Sequence, residues 1–332
     1  MMLEGRPLEG RALEELKIFL ASQDLNYDEG IEYSACILDD DYKIIAAGSV
    51  EENVLKCIAV DPHHLGEGLS GSVVSQLIQY EFEHGRSRLF LYTKPKNEEL
   101  FKSLGFYTVF QTKSVLFMEN EKQGFEKFIR AIQEITPIDA KDYGRIVGAI
   151  VANCNPFTLG HRYLIEEALK QCDYLHVFVL SDKRTFYGAE DRYQMVLKGT
   201  EDFNRVIVHQ ASDYMVSAAT FPTYYLKEKT FANKANCEFD LEMFAEKIAP
   251  PLKITRRFVG TEPICRVTGS YNTAMKQILP EYGIEVIEIE RKIQGEEVIS
   301  ASRVREAVKK GRFQDAERLV PETTWYYLIQ KT

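Results

Sequence analysis

The chain has 332 residues, 45% hydrophobic and 27% charged, which fits a globular protein large enough for two domains. Its net charge of −9 argues against broad binding to nucleic acid or to an anionic membrane, though it leaves room for a local basic pocket. No apolar run is long enough to span a bilayer, Met1–Arg6 does not read as a signal peptide, and the six scattered cysteines form no CxxC pair; a cytoplasmic protein with reduced thiols is expected.

Residues 1–120 read as one unit. The patterning predicts a helix over 11–22, strands over 31–38, 43–50 and 54–60, a helix over 68–83 and a strand over 88–92. A short helix over 98–104 and a β pair ending at Phe117 follow. This order resembles the acyl-CoA N-acetyltransferase fold, an α+β fold. Two segments carry the resemblance: Val60-Asp61-Pro62-His63-His64-Leu65-Gly66-Glu67-Gly68-Leu69-Ser70-Gly71 and Phe101-Lys102-Ser103-Leu104-Gly105-Phe106. It implies that the first of these offers backbone N–H groups to the pyrophosphate of coenzyme A. Leu65 stands where Arg or Gln is usual, and Ser70 where Gly or Ala is usual. Such departures fit a fold retained as a docking platform without acetyl transfer.

Residues 121–142 read as a linker, with a helical stretch over 125–133 and a break at Thr136-Pro137. From 143 to 332, strands expected over 146–152, 174–180, 205–209, 253–259 and 284–289 alternate with helices. Alternation of this kind predicts a Rossmann-like parallel sheet.

The first of these strands runs into Asn153-Cys154-Asn155-Pro156-Phe157-Thr158-Leu159-Gly160-His161, followed by a helical pattern. Open α/β sheets bind ligands at such strand ends, and the free N–H groups of a helix start attract phosphate. About 140 residues on, Ile299-Ser300-Ala301-Ser302-Arg303-Val304-Arg305 opens another helix. Its hydroxyls suit capping or phosphate binding, and Arg305 adds a fixed charge one turn in. Together the two segments resemble the nucleotidylyltransferase superfamily, whose enzymes bring an acceptor to the α-phosphate of ATP. The resemblance implies that Thr158, His161 and Arg305 are catalytic. It also implies that Asn155, Phe157, Gly160, Ser300 and Ser302 bind nucleotide, together with Gly260, Thr261 and Glu262 at the end of a later strand. ATP and Mg2+ are the expected cofactors, the ion bridging phosphates with few protein ligands. The cations in Ser181-Asp182-Lys183-Arg184-Thr185 and Asp191-Arg192 are further candidates for phosphate or acceptor contacts.

An acetyltransferase-like unit followed by this nine-residue motif is similar to the citrate lyase ligase family. The similarity implies that ATP and acetate give acetyl-adenylate and pyrophosphate, after which a thiol takes the acetyl group. That thiol belongs to a dephospho-coenzyme A derivative on the acyl carrier subunit of citrate lyase. Acetate is already ionised near neutral pH, so the first step needs no strong base. Phe157, Phe186 and Tyr187 are candidate walls for the acid. Two other readings stay open at this point: an adenylyltransferase acting on a mononucleotide or phosphopantetheine, and an acetyl-CoA-dependent acetyltransferase.

Overall fold

The computed structural model describes residues 1–28, 30–141, 144–181, 185–210, 212–215, 229–262, 266–294 and 297–331. The chain divides into two compact units, Met1–Phe125 with Phe221–Phe239, and Glu126–Thr220 with Asp240–Thr332. No helix among the described residues is long and apolar enough to cross a membrane.

The first unit is built on a mixed seven-stranded sheet. Its strands are β1 (Met2–Gly5), β2 (Tyr33–Leu38), β3 (Ile44–Glu51), β4 (Val54–Val60), β5 (Phe90–Thr93), β6 (Tyr107–Gln111) and β7 (Leu116–Glu119), in the order β1-β2-β3-β4-β5-β7-β6. All neighbours are antiparallel except β4 and β5, which pair only at Val54–Phe90 and Leu55–Leu91. Helices α1 (Gly10–Ser22), α2 (Leu69–Glu83) and α3 (Glu98–Ser103) complete the unit. The apolar stripe of α2, Val73, Val74, Leu77 and Tyr80, joins Tyr33, Ala35, Ala46 and Leu55 in one core. Gly48 permits this approach, since a Cβ there would lie 2.5 Å from Cγ1 of Val73. Phe239 sets its ring edge-on to Tyr92, Phe110 and Phe117, at 5.8, 5.6 and 6.0 Å. The return of a stretch so late in sequence to this unit has no counterpart in the sequence reading. β1 is likewise absent from it: four residues carry too little alternation to register, and pairing from Met2–Ile37 to Gly5–Ser34 holds the strand.

After α4 (Gly124–Glu134), the second unit carries a parallel five-stranded sheet. It comprises β8 (Val147–Ala152), β9 (Tyr174–Val179), β10 (Val206–His209), β11 (Ile254–Gly260) and β12 (Glu285–Ile289). The order is β10-β9-β8-β11-β12. These are the five strands that the sequence predicts, each within two residues at either end. The unit's helices are α5 (Leu159–Leu169), α6 (Ala189–Gly199), α8 (Arg266–Ile278), α9 (Ala301–Lys309), α10 (Phe313–Glu317) and α11 (Glu322–Lys331), while α7 (Lys229–Met243) belongs to the first unit up to Phe239 and to the second from Asp240. A two-stranded ribbon, β13 (Ile293–Gln294) with β14 (Glu297–Val298), precedes α9. The strand order reverses between β8 and β11, and the carboxyl ends of strands flanking such a reversal leave a crevice.

A pair of histidines is buried in this sheet. His176 on β9 and His209 on β10 are 0% and 1% exposed, with Nδ1 of the first 2.7 Å from Nε2 of the second. Burial pushes both well below the ordinary imidazole range, and the neighbouring His176 lowers His209 further. The unfolded chain therefore takes up protons below about pH 6.5 that the folded chain refuses. Stability is full above that value and falls as pH drops through it. Melting temperature is expected to decline from pH 7.5 to 5, and the decline should flatten in a His176→Leu/His209→Leu variant. A wild-type slope retained in that variant would count against the pair.

Candidate active site

The chain leaves β8 through Cys154, whose left-handed φ of 46° turns it sharply. Burial pushes the Cys154 thiol up to about 12, so this cysteine packs and is no nucleophile. Thr158 then caps α5. Its Oγ1 accepts from the backbone N of His161 at 3.3 Å, and Nδ1 of His161 accepts from the backbone N of Thr158 at 3.1 Å. This reciprocal capping fixes the imidazole. With Nδ1 an acceptor, the neutral ring carries its proton on Nε2. Burial, and the nearby charge of Arg291, lower the His161 pKa to about 4, so the ring is a neutral donor at physiological pH. The ring of Phe157, fully buried, stacks on it at 5.9 Å.

The second motif meets the first directly. Ser300 caps α9, its hydroxyl accepting from the backbone N of Arg303 at 3.4 Å. A Cβ on Gly160 would lie 3.2 Å from the carbonyl oxygen of Ile299 and 3.4 Å from Oγ1 of Thr158. Glycine is therefore what lets the two helix starts abut. Arg305, half-buried, donates Nη1 to the carbonyl of Asn155 across 150 residues of sequence, and Nη2 to Oγ of Ser302 at 3.1 Å. Asn155 in turn accepts the backbone N–H of Tyr187 at 3.1 Å through its side chain.

Both helix starts line one cleft of about 570 Å³, within the range of small-molecule sites. Thr158, Gly160, His161, Ser300, Ser302 and Arg305 form one wall, and Gly260 and Glu262 at the end of β11 belong to another. Arg291 and Lys292, just past β12, also line it. Arg291 is held by the carbonyl of Thr261 and by Glu262, and its backbone N donates to Oγ1 of Thr261 at 3.3 Å. Lys292 lies 5.5 Å from the ring centroid of Tyr163. The cleft thus gathers two helix N-termini, a neutral imidazole donor and, with Arg257 on β11, four cations at a strand-order reversal, a set suited to a polyphosphate.

Residues 147–328 match the citrate lyase ligase C-terminal domain family. The [citrate [pro-3S]-lyase] ligase of Escherichia coli (strain K12) is 40% identical over 326 residues, 96% of this chain and 91% of that protein. The chain belongs to the citrate lyase ligase family. The Klebsiella pneumoniae [citrate [pro-3S]-lyase] ligase is 39% identical over 322 residues, 96% of this chain and 92% of its own length. Among solved structures, an acyl-CoA N-acyltransferase from Pseudomonas aeruginosa covers 36% of this chain and 99% of its own, at 13% identity and a TM-score of 0.30.

Most of the expected site residues line the cleft, and three stand behind it. Phe157 is core beneath His161, Asn155 is the anchor of Arg305, and Thr261 holds Arg291. The lining does not include Phe157, Phe186 or Tyr187, which corrects the expectation that they wall the acid; the apolar lining comes instead from residues such as Ile150, Leu164, Leu180 and Ile289. Asp182, Lys183 and Arg184 lie outside the described residues. Arg192 is not a substrate contact: it is fully buried and donates to the carbonyls of Asn153 and Tyr187, at 2.7 and 3.1 Å, bracing the motif loop. Sequence reasoning missed Arg291 and Lys292, although two cations directly after a predicted strand were a usable signal. It also missed Asp240, Arg257 and Tyr271, which line the cleft from separate elements and share no motif.

Proposed function

We propose that this citrate lyase ligase uses ATP and acetate to acetylate the thiol prosthetic group on the acyl carrier subunit of citrate lyase. A carboxylate oxygen of acetate forms a bond to the α-phosphorus, the bond to the bridging oxygen breaks, and pyrophosphate leaves. The thiol then attacks the carbonyl of acetyl-adenylate, the new C–S bond forms, and AMP departs as the thiol proton passes to water or buffer. The observation that carries this reading is the abutment of the two helix starts at Gly160 and Ile299, which points His161, Ser300, Ser302 and Arg305 at one cleft.

Phosphoryl-type transfer needs placement and charge neutralisation more than covalent help. Nε2–H of His161 donates to a phosphate oxygen that gains charge as the bond breaks. Thr158 sets the tautomer. Arg305 and Lys292 neutralise the leaving pyrophosphate, with Ser300 and Ser302 as hydroxyl donors. The carboxylates of Glu262 and Glu290 line the cleft and are the hard oxygen donors that magnesium takes. These two carboxylates would hold such an ion, which would supply positive charge against the phosphates. Free thiols at Cys36, Cys57, Cys154, Cys172 and Cys237 support a reducing, cytoplasmic setting. The family assignment weighs against a mononucleotide or phosphopantetheine acceptor and against acetyl-CoA as donor. Incubating protein, ATP, magnesium and labelled acetate should yield labelled acetyl-AMP and pyrophosphate. Absence of both would overturn the reading.

The first unit docks the coenzyme A-like arm of the carrier. Gly66 and Gly68 take left-handed backbone, with φ of 89° and 75°, and α2 begins with no side-chain cap and no acidic residue in its first turn. Its leading N–H groups can therefore meet an anion. Deleting residues 1–140 is an unsuitable test, because Phe239 would lose its aromatic partners. Ser70→Glu instead places a negative charge in the first turn, which the helix tolerates. It should raise the KM for carrier at least fivefold, while the acetate-dependent exchange of pyrophosphate into ATP, which uses no carrier, keeps its rate. An unchanged carrier KM would remove the docking role.

A further inference from the structure

A second set of side chains lines the cleft away from the helix starts, and the phosphate chemistry gives it no task. Arg257 on β11, Asp240 in α7 and Tyr271 in α8 all line it. Arg257 is only 4% exposed. Its guanidinium carbon lies 4.4 Å from the ring centroid of Phe244, and among the described residues its Nη1 has no hydrogen-bond partner. The nearby carboxylate of Asp240 accepts from the hydroxyl of Tyr271 through Oδ2.

A guanidinium keeps its proton at any physiological pH, and its five N–H donors make its burial without acceptors costly. A chain that tolerates this cost next to a ligand cleft has an anion arriving there. Two anions belong to the reaction, a triphosphate and a monocarboxylate. The position of Arg257 favours the second. β11 runs three residues beyond it to Gly260, so the guanidinium is set back from the edge where the helix starts gather. It lies opposite Ala149 in the register with β8, under the strand-order reversal. Asp240 close by offsets its charge, which a single negative charge tolerates better than the several of a triphosphate.

We propose that Arg257 receives the carboxylate of the acid substrate. The proposal rests on the acetate-activating reading above. One guanidinium N–H holds one carboxylate oxygen, and the other oxygen is left to attack the α-phosphorus. Arg257 is thus a substrate-binding residue for the acid.

The test uses the full-length protein and pyrophosphate exchange into ATP. Arg257→Met replaces a buried cation, whose Nη1 has no hydrogen-bond partner among the described residues, by an apolar side chain of similar length. It should raise the KM for acetate tenfold or more, leave the KM for ATP within twofold, and keep or raise the melting temperature. Arg257→Lys retains the charge without the planar fork and should fall between Met and wild type for acetate. An unchanged acetate KM in folded Arg257→Met would overturn the proposal. So would a parallel rise in both KM values, or loss of folding in both variants, since each assigns Arg257 to phosphate or to structure. Wild-type protein without acetate-dependent exchange would overturn the underlying reaction instead, and the two failures are distinguishable by that control.

Discussion

His161→Ala is expected to slow acetate-dependent pyrophosphate release by about 10²–10³-fold, the usual cost of removing one preorganised donor from a developing oxyanion. The protein should stay folded. Thr158 Oγ1 still accepts from the backbone N of residue 161, so the α5 cap survives without the imidazole. The KM for ATP should rise less than the rate falls, because the donor acts most strongly on the transition state. His161→Gln, which keeps an N–H of similar reach, should recover part of the rate. Burial and Arg291 hold the His161 pKa near 4, so the ring stays neutral from pH 8 down to about 5. The first step should accordingly show no loss of rate near pH 6.5 from this residue. Near wild-type turnover in His161→Ala, measured by released pyrophosphate, would remove the residue from the chemistry.

Arg305→Met should also cost about 10²-fold in kcat/KM for ATP, a loss of the size expected for a charge-assisted contact in a closed site. Two effects combine. The variant removes a positive charge facing the phosphates, and it frees the Asn155 carbonyl that Arg305 ties down. Arg305→Lys keeps the charge but loses the fork that reaches Asn155 and Ser302 together, so a smaller loss, about tenfold, is expected. Steady-state kinetics with ATP varied at saturating acetate separates the two. If Arg305→Met stays within threefold of wild type, the second helix start has no part in holding phosphate.

The parts of the site legible in the sequence are those in which local chemistry and position coincide. Thr158, Gly160 and His161 follow an apolar strand and open a helix, and Ser300, Ser302 and Arg305 open another. In both places the cap residue is dictated within four residues. The five parallel strands were legible for the same reason: each is a short, mostly apolar run bounded by polar breaks. The edge strand β1 was not, because four residues whose strand partners lie 29 to 35 positions away have no local signature.

What the sequence determined was the pair of helix beginnings and the parallel sheet that spaces them, since capping, periodicity and turn chemistry act over a few residues. Only the tertiary structure decided which neighbours complete the cleft. Arg192 and Arg257 are both buried arginines, yet one braces backbone carbonyls and the other faces the cleft. Phe157 proved to be core and Arg291 to line the site. Burial, and the distance between groups far apart in the chain, are properties of packing, and no window of residues contains them.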